Sequence, residues 1–364
     1  MADVMTDSYR SSVEDTLKHP AFPGAVWTLE PTSSGKTKVG QDRGGPLQIA
    51  WEIHGSGPIK LCLIMGLAGI MTTWQRQTLY FGHDRADRFS VLLLDNRGMG
   101  LSDKPLCRYS TSEMAKDVID VLDAVGWTGL REVNVVGISL GGMIAQELAC
   151  AAPERIRSLT LLSTAARLRG GEGENMPTLA ESASAVAERL CMLTPRSEEK
   201  TILETSRRVF SDKWLAAPDD GPLPSPTSTP LCHPPRSSSS KEYGRFDSNF
   251  QRFQAQELVK RRDVNFTRLG YICQGIAAVW HYKSNEQLRR MADAVGRKRI
   301  MAIHGGDDHV IDIRYGIALQ KAVDPAVRHV VDGVGHAPCV ESEAWFNRVL
   351  EENLEAWNQL DDKE

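Results

Sequence analysis

The fold is decided by "VNVVGISLGGMIAQELA", residues 133 to 149. Its first half is apolar and β-branched, the composition of a buried strand. Its second half is rich in Ala, Leu, Met, Gln and Glu, and so favours a helix. Between them stands Ser139, boxed in by Gly137, Gly141 and Gly142. The pattern G-x-S-x-G places a hydroxyl on a sharp strand-to-helix turn, which needs small neighbours on both sides. Such a turn lifts the hydroxyl clear of the backbone. The helix that follows offers free N–H groups and the positive end of its dipole to a developing oxyanion. Five residues alone match by chance, so the weight lies in what flanks them.

Working outward, strand-length apolar runs alternate with helical segments. "LQIAWEI" (47 to 53), "KLCLIM" (60 to 65), "FSVLLLD" (89 to 95) and "RSLTLLST" (157 to 164) read as strands. The segment 111 to 126 carries Met114, Val118, Val121 and Leu122 on one helical face. After a gap the alternation resumes. Strands are predicted at 298 to 305 and 327 to 333, with helices at 314 to 323 and 344 to 357. This order predicts an α/β fold with a mainly parallel central sheet flanked by helices. Continuous apolar strands agree, because both faces of such a sheet are buried.

Three parts are expected: a first core part over 1 to 164, an inserted, mostly helical lid over 165 to 296, and a second core part over 297 to 364. The first 20 or so residues read as a flexible or peripheral tail. Within the lid, 217 to 244 is crowded with Pro, Ser, Thr and Asp, and is expected to be disordered.

The 364 residues carry a net charge of −4, with 41% hydrophobic residues and a pI near 6.2. That balance gives no reason to expect nucleic acid or an anionic membrane as partner. The seven cysteines are scattered, with no C-x-x-C pair, which argues against a disulfide framework or a zinc knuckle. The N-terminus lacks an apolar h-region, so no secretory signal is expected. No run reaches the roughly 20 apolar residues that span a bilayer. A soluble, cytoplasmic protein is the expectation.

A serine hydroxyl needs a base. Of nine histidines, His336 in "DGVGHAPCVE" follows the last strand in a Gly-bounded loop. In an open parallel sheet that position shares an edge with Ser139. The others lie at strand ends, within a strand, in other loops or in the tail. The base in turn needs an acid to fix its tautomer. "IHGGDDHVI" offers Asp307 and Asp308. Counting Gly, two residues, Asp, one residue and an apolar pair from Gly305 selects Asp308, with Val310 and Ile311 as the pair. A metal reading with His304, Asp308 and His309 as ligands lacks a recognised ligand spacing. The oxyanion hole needs N–H groups from two loops. Leu140 supplies one. Leu67, in "MGLAG" after the strand at 60 to 65, supplies the other.

With these pieces in order the chain resembles the α/β-hydrolase superfamily, in particular its lidded esterases and lactonases. "MGLAG", "DNRGMGLSD", "GISLGG", "HGGDDHVI" and "GVGH" carry the resemblance, over about 45 to 165 and 297 to 357. One departure is visible. Many members have His-Gly before the oxyanion donor, where this chain has Met65-Gly66. Asp95, Arg97 and Ser102 of "DNRGMGLSD" read as a structural turn. Relatives that open epoxides or displace halide use aspartate at the elbow, so Ser139 points to acyl transfer to water.

The resulting expectation is a serine hydrolase of a moderately hydrophobic ester or lactone, acting through Ser139, His336 and Asp308 and an acyl-enzyme. The alternatives are a C–C bond hydrolase of a diketone-like substrate with the same triad, and a non-catalytic small-molecule binder. Gly66, Trp280 and His281 are candidate substrate contacts. The lid aromatics, among them Trp214, Phe246, Phe250, Phe253, Phe266, Tyr271 and Tyr282, are divided between a lid core and a pocket wall. Nothing in the sequence calls for a cofactor.

Overall fold

The computed structural model describes residues 9–43, 45–169, 196–236 and 241–360. Eight strands form the main sheet: β1 (Ser33–Val39), β2 (Leu47–His54), β3 (Ile59–Ile64), β4 (Phe89–Leu94), β5 (Val133–Ile138), β6 (Ile156–Leu162), β7 (Ile300–Gly305) and β8 (Val327–Val331). Their spatial order is β8-β7-β6-β5-β3-β4-β2-β1. The β1–β2 and β2–β4 pairs are antiparallel; the other pairs are parallel. The strand order reverses at β3, so the edge beyond the C-terminal ends of β3 and β5 is where an open α/β sheet places its site.

Each face of the sheet is covered by helices. On one side lie α1 (Thr111–Ala124), α2 (Leu140–Ala151), α6 (Asn285–Val295) and α7 (Ile313–Val323). They contribute Val118, Ile144, Leu288 and Leu319 to a single core with the sheet. On the other side α8 (Glu343–Leu360) buries Phe346, Leu350, Leu354 and Trp357, together with Trp74 and Phe81. The central strands β4 and β5 are buried along their whole length, which is why they read as unbroken apolar runs.

Between β6 and β7 the chain forms α3 (Glu198–Val209), a short helix Asp212–Ala216, α4 (Asn249–Arg262), α5 (Arg268–Trp280) and α6. Of these, α6 packs on the sheet although it falls within the range expected for the lid. Its stripe of Leu288, Met291, Ala292 and Val295 belongs to the main core. Part of the expected lid aromatic set, together with Phe210, forms a cluster: Phe210 contacts Trp214 and Phe253, with ring centroids 4.5 and 5.1 Å apart.

The segment 217–244, expected to be disordered, and the expected flexible or peripheral tail lie partly outside the described residues. Over its described residues, 217–244 is pinned at several points. Cys232 pairs with Leu29 in a short antiparallel ladder, Asp219 accepts from Arg252 at 2.7 Å, and Pro230 O accepts from the His83 ring at 2.6 Å. Leu223, Cys232 and Tyr243 also pack with Trp27 and Leu79. A few buried side chains therefore outweigh a polar composition. The described part of the N-terminal tail is likewise docked. Ser12 caps the helix Val13–Lys18, and the buried Thr16 hydroxyl donates to Gln254 on α4.

Candidate active site

Ser139 stands between β5 and α2 with φ 56° and ψ −120°, a backbone conformation that is strained for any residue with a side chain. Its surroundings hold it there. Its N–H donates to Leu162 O at 2.9 Å. Its carbonyl accepts from the Thr164 hydroxyl at 2.7 Å and from the N–H groups of Gly142 and Met143. The flanking glycines are required by close approach. A Cβ at Gly137 would lie 2.3 Å from Gly141 O, and one at Gly141 only 2.1 Å from Ile64 O. Gly66 meets the serine from the other side: a Cβ there would sit 3.0 Å from that of Ser139.

The candidate acid and base come from loops after β7 and β8. Asp308 is buried. Its Oδ1 accepts from the N–H groups of Val310 and Ile311 at 2.8 and 2.9 Å. Its Oδ2 lies 2.7 Å from His336 Nδ1. Burial pushes this carboxyl upward. The His336 charge and the hydrogen bonds from His304 and His336 outweigh burial and hold it well below the usual carboxylate range. Asp307 is exposed. His336 N–H donates to Val209 O at 2.7 Å, so the base loop is seated against the end of α3 and beside Phe210. The hydrogen bonds of the described residues include none between Ser139 Oγ and His336 Nε2, a link that in unliganded hydrolases often tightens only with substrate.

His304, at the end of β7, stands beside the candidate acid. Its Nε2 lies 2.9 Å from Ile311 O and 3.1 Å from Asp308 Oδ2. His309 is exposed, and among the described residues no group of three His, Cys, Asp or Glu side chains is placed to hold a metal.

Of the two expected oxyanion donors, Leu140 is the first residue of α2, where a helix has no carbonyl of its own to accept the N–H. Leu67 follows β3 in a loop braced by its neighbour. Asn96 Nδ2 donates to Met65 O at 2.9 Å, and Met71 N–H donates to Asp95 Oδ1 at 2.8 Å. Asp95 also accepts from Leu101 N–H at 2.7 Å. Ser102 bridges Asp95 O and Ala50 N–H, at 2.6 and 2.8 Å. Arg97 makes two 2.6 Å bonds to Asp117. These side chains are all engaged in holding the turn.

The remaining candidate substrate contacts, Trp280 and His281, adjoin at the C-terminal end of α5. Trp280 is 63% exposed, with the Arg169 guanidinium 4.0 Å over its ring. His281 is buried, with Nδ1 2.9 Å from the Thr111 hydroxyl on α1. Burial, helped by the nearby Lys283 charge, lowers its pKa to about 3 and keeps the ring neutral. The described contact of His281 is thus a packing contact with α1.

Comparison with known proteins agrees with this architecture. The family model described as alpha/beta hydrolase fold matches residues 61–343, and the chain belongs to that family. A putative carbamate hydrolase of Azorhizobium caulinodans is 39% identical over 127 residues, 35% of this chain and 45% of that protein. A 3-oxoadipate enol-lactonase of Acinetobacter baylyi is 34% identical over 98 residues, 27% of this chain and 34% of that protein. The chain thus spans less than half the length of these relatives. A thermophilic esterase from Thermogutta terrifontis shares the fold with a TM-score of 0.62 at 18% identity, over 90% of this chain and 99% of that one. Among the described residues no helix is long and apolar enough to cross a membrane.

Proposed function

We propose that the chain is a serine hydrolase of a moderately hydrophobic carboxylic ester or lactone. The observation that carries this is the buried Asp308–His336 pair at 2.7 Å, on the sheet edge that also bears a strained serine at a helix N-terminus. In this reading Ser139 Oγ attacks the substrate carbonyl while His336 Nε2 takes its proton. Asp308 holds Nδ1–H and stabilises the imidazolium. The N–H groups of Leu67 and Leu140 receive the oxyanion. His336 then protonates the leaving alcohol, and activates the water that clears the acyl-enzyme. The apolar preference is supported by Phe210, which packs against Trp214 and Phe253 and follows Val209, whose carbonyl accepts the His336 N–H.

A fluorophosphonate probe tests the chemistry. It should label the wild type at Ser139 and leave Ser139→Ala unlabelled; folded wild-type protein without an adduct would sink the reading. A panel of p-nitrophenyl esters, lactones, aryl carbamates and diketones then tests the bond. Turnover of the diketones alone would replace ester cleavage by C–C cleavage.

A further inference from the structure

We infer that Gln274, on lid helix α5, is a positioning residue that completes the oxyanion loop. The inference rests on the serine-hydrolase reading and extends it. Gln274 is fully buried. Its Oε1 accepts the Ala68 N–H at 3.1 Å, and its Nε2 donates to Arg97 O at 2.9 Å. Both partners are backbone groups of core loops, so the amide's orientation is fixed: carbonyl toward Ala68, NH2 toward Arg97.

The place of these bonds gives them meaning. Asn96 Nδ2 holds Met65 O, which pins the Met65–Gly66 peptide. Gln274 holds the Ala68 N–H, which pins the Leu67–Ala68 peptide. The peptide between them, Gly66–Leu67, carries the N–H assigned to the oxyanion. Among the described residues that N–H has no acceptor. Ala68 has φ 62°, a left-handed conformation that a non-glycine residue leaves unless it is held. Gly66 O also accepts from Gly69 N–H at 3.2 Å; release of the Ala68 N–H would leave that single bond to hold the Gly66–Leu67 peptide and loosen the Leu67 donor.

The anchor on the lid side is firm. Gly270 lies one helical turn before Gln274, on the same face of α5. A Cβ at Gly270 would come within 1.8 Å of Gly98 O, so the helix rests directly on the backbone after Arg97. Arg97 is in turn locked by its two bonds to Asp117. The donor geometry of the core therefore depends on α5 being seated. Where relatives carry His-Gly ahead of the donor, this chain has Met65-Gly66 and a lid amide.

The test uses the full-length chain and two variants, Gln274→Met and Gln274→Glu. Methionine keeps the length and removes both hydrogen bonds. Glutamate keeps an acceptor for Ala68 N–H, and burial favours its protonated form, whose single O–H can replace the amide donor to Arg97 O. The readouts are kcat and KM on a short p-nitrophenyl ester, and inhibition by an alkyl boronic acid, whose tetrahedral adduct uses the oxyanion hole. Gln274→Met should lower kcat about 10- to 100-fold, below the loss from removing a donor outright, with KM changed less than about threefold. Boronate affinity should fall in the same ratio, and Gln274→Glu should recover part of both. A Gln274→Met enzyme with lowered Tm but kcat and boronate affinity within about twofold of wild type overturns the inference. If Gln274→Met does not fold, Gly270→Ala, which lifts α5 off Gly98, is judged by the same two readouts and limits. Wild type without turnover or labelling at Ser139 sinks the underlying reading instead, an outcome seen before any variant is made.

Discussion

Asp308→Asn tests the site most directly, because the structure states what the lost charge was holding. The carboxylate faces four donors: the N–H groups of Val310 and Ile311 on Oδ1, and the rings of His336 and His304 on Oδ2. An amide has one oxygen, and the two backbone donors claim it. Its NH2 then meets His336 Nδ1. To accept from that NH2, His336 must carry its proton on Nε2, and so presents a donor to Ser139 where the reaction needs an acceptor. A wrong-tautomer triad loses about 10⁴ in kcat, which is about 5.4 kcal/mol of barrier. Stability should fall by about 1.5–3 kcal/mol at pH 7, the worth of one charge-assisted hydrogen bond, while His304 keeps Ile311 O as acceptor. The pH dependence has a definite sign. The Asp308 pKa is depressed in the folded state, so its stabilisation is complete above the unfolded value of about 3.9. It is lost as pH falls through the folded value. The stability gap between wild type and variant should therefore close below about pH 4. Ester turnover at pH 7 and urea melts at several pH values measure both effects. An Asp308→Asn enzyme within about tenfold of wild-type kcat, beside an Asp307→Asn enzyme that is dead, would refute the assignment.

Two further substitutions separate structural from catalytic roles. Arg97→Met leaves the buried Asp117 carboxylate, among the described residues, with only the 3.2 Å contact to Arg43. It should cost about 3–5 kcal/mol in a urea melt; a loss under about 1 kcal/mol would mean the pair is not a structural anchor. His281→Gln should leave KM for a short ester unchanged and alter how stability varies with pH. The His281 pKa is lowered to about 3 in the folded state, below the unfolded value of about 6.5. The unfolded chain thus binds the extra proton first, and wild-type stability falls as pH drops below about 6.5, by at most about 1.4 kcal/mol per unit from this group. In the variant that part of the slope is gone, while the neutral His83, lowered to about 4, still contributes in the same direction. A raised KM with an unchanged slope would return His281 to the substrate pocket.

The sheet was legible because its central strands are buried on both faces, and burial on both faces leaves a continuous apolar run such as "SVLLL". The elbow was legible because its constraint is local: Gly137 and Gly141 are forced by backbone atoms within a few residues or on the next strand. The choice of Asp308 over Asp307 came from counting, and it coincides with the buried member of the pair. The helix Asn285–Val295 misled the reading because an amphipathic stripe shows that a face is buried and not against what. The anchoring of the described part of 217–244 left little trace in the sequence, because Leu223, Cys232 and Tyr243 are few, yet sit in one cluster with Trp27.

Gln274 was invisible for a different reason. Glutamine is an ordinary helix residue, and its period along α5 gives no sign that its amide meets two backbone groups more than 170 positions away. The readable trace was a pair of glycines. Gly98, at φ 93°, belongs to a turn already singled out, and Gly270 stands inside a helix where alanine would be more stable. A glycine that weakens a helix is retained where a Cβ would collide, and here the collision would be with the carbonyl of Gly98 itself. That contact fixes which face of α5 meets the core, and a residue one turn further on then has no choice but to point at the same loops. A buried amide in that position must bond the backbone it meets or remain unsatisfied. Its two partners are the residue after the Leu67 donor and the carbonyl that precedes Gly98. Helix α5 and the loop after β3 are thus joined by one side chain whose placement follows from the glycine before it.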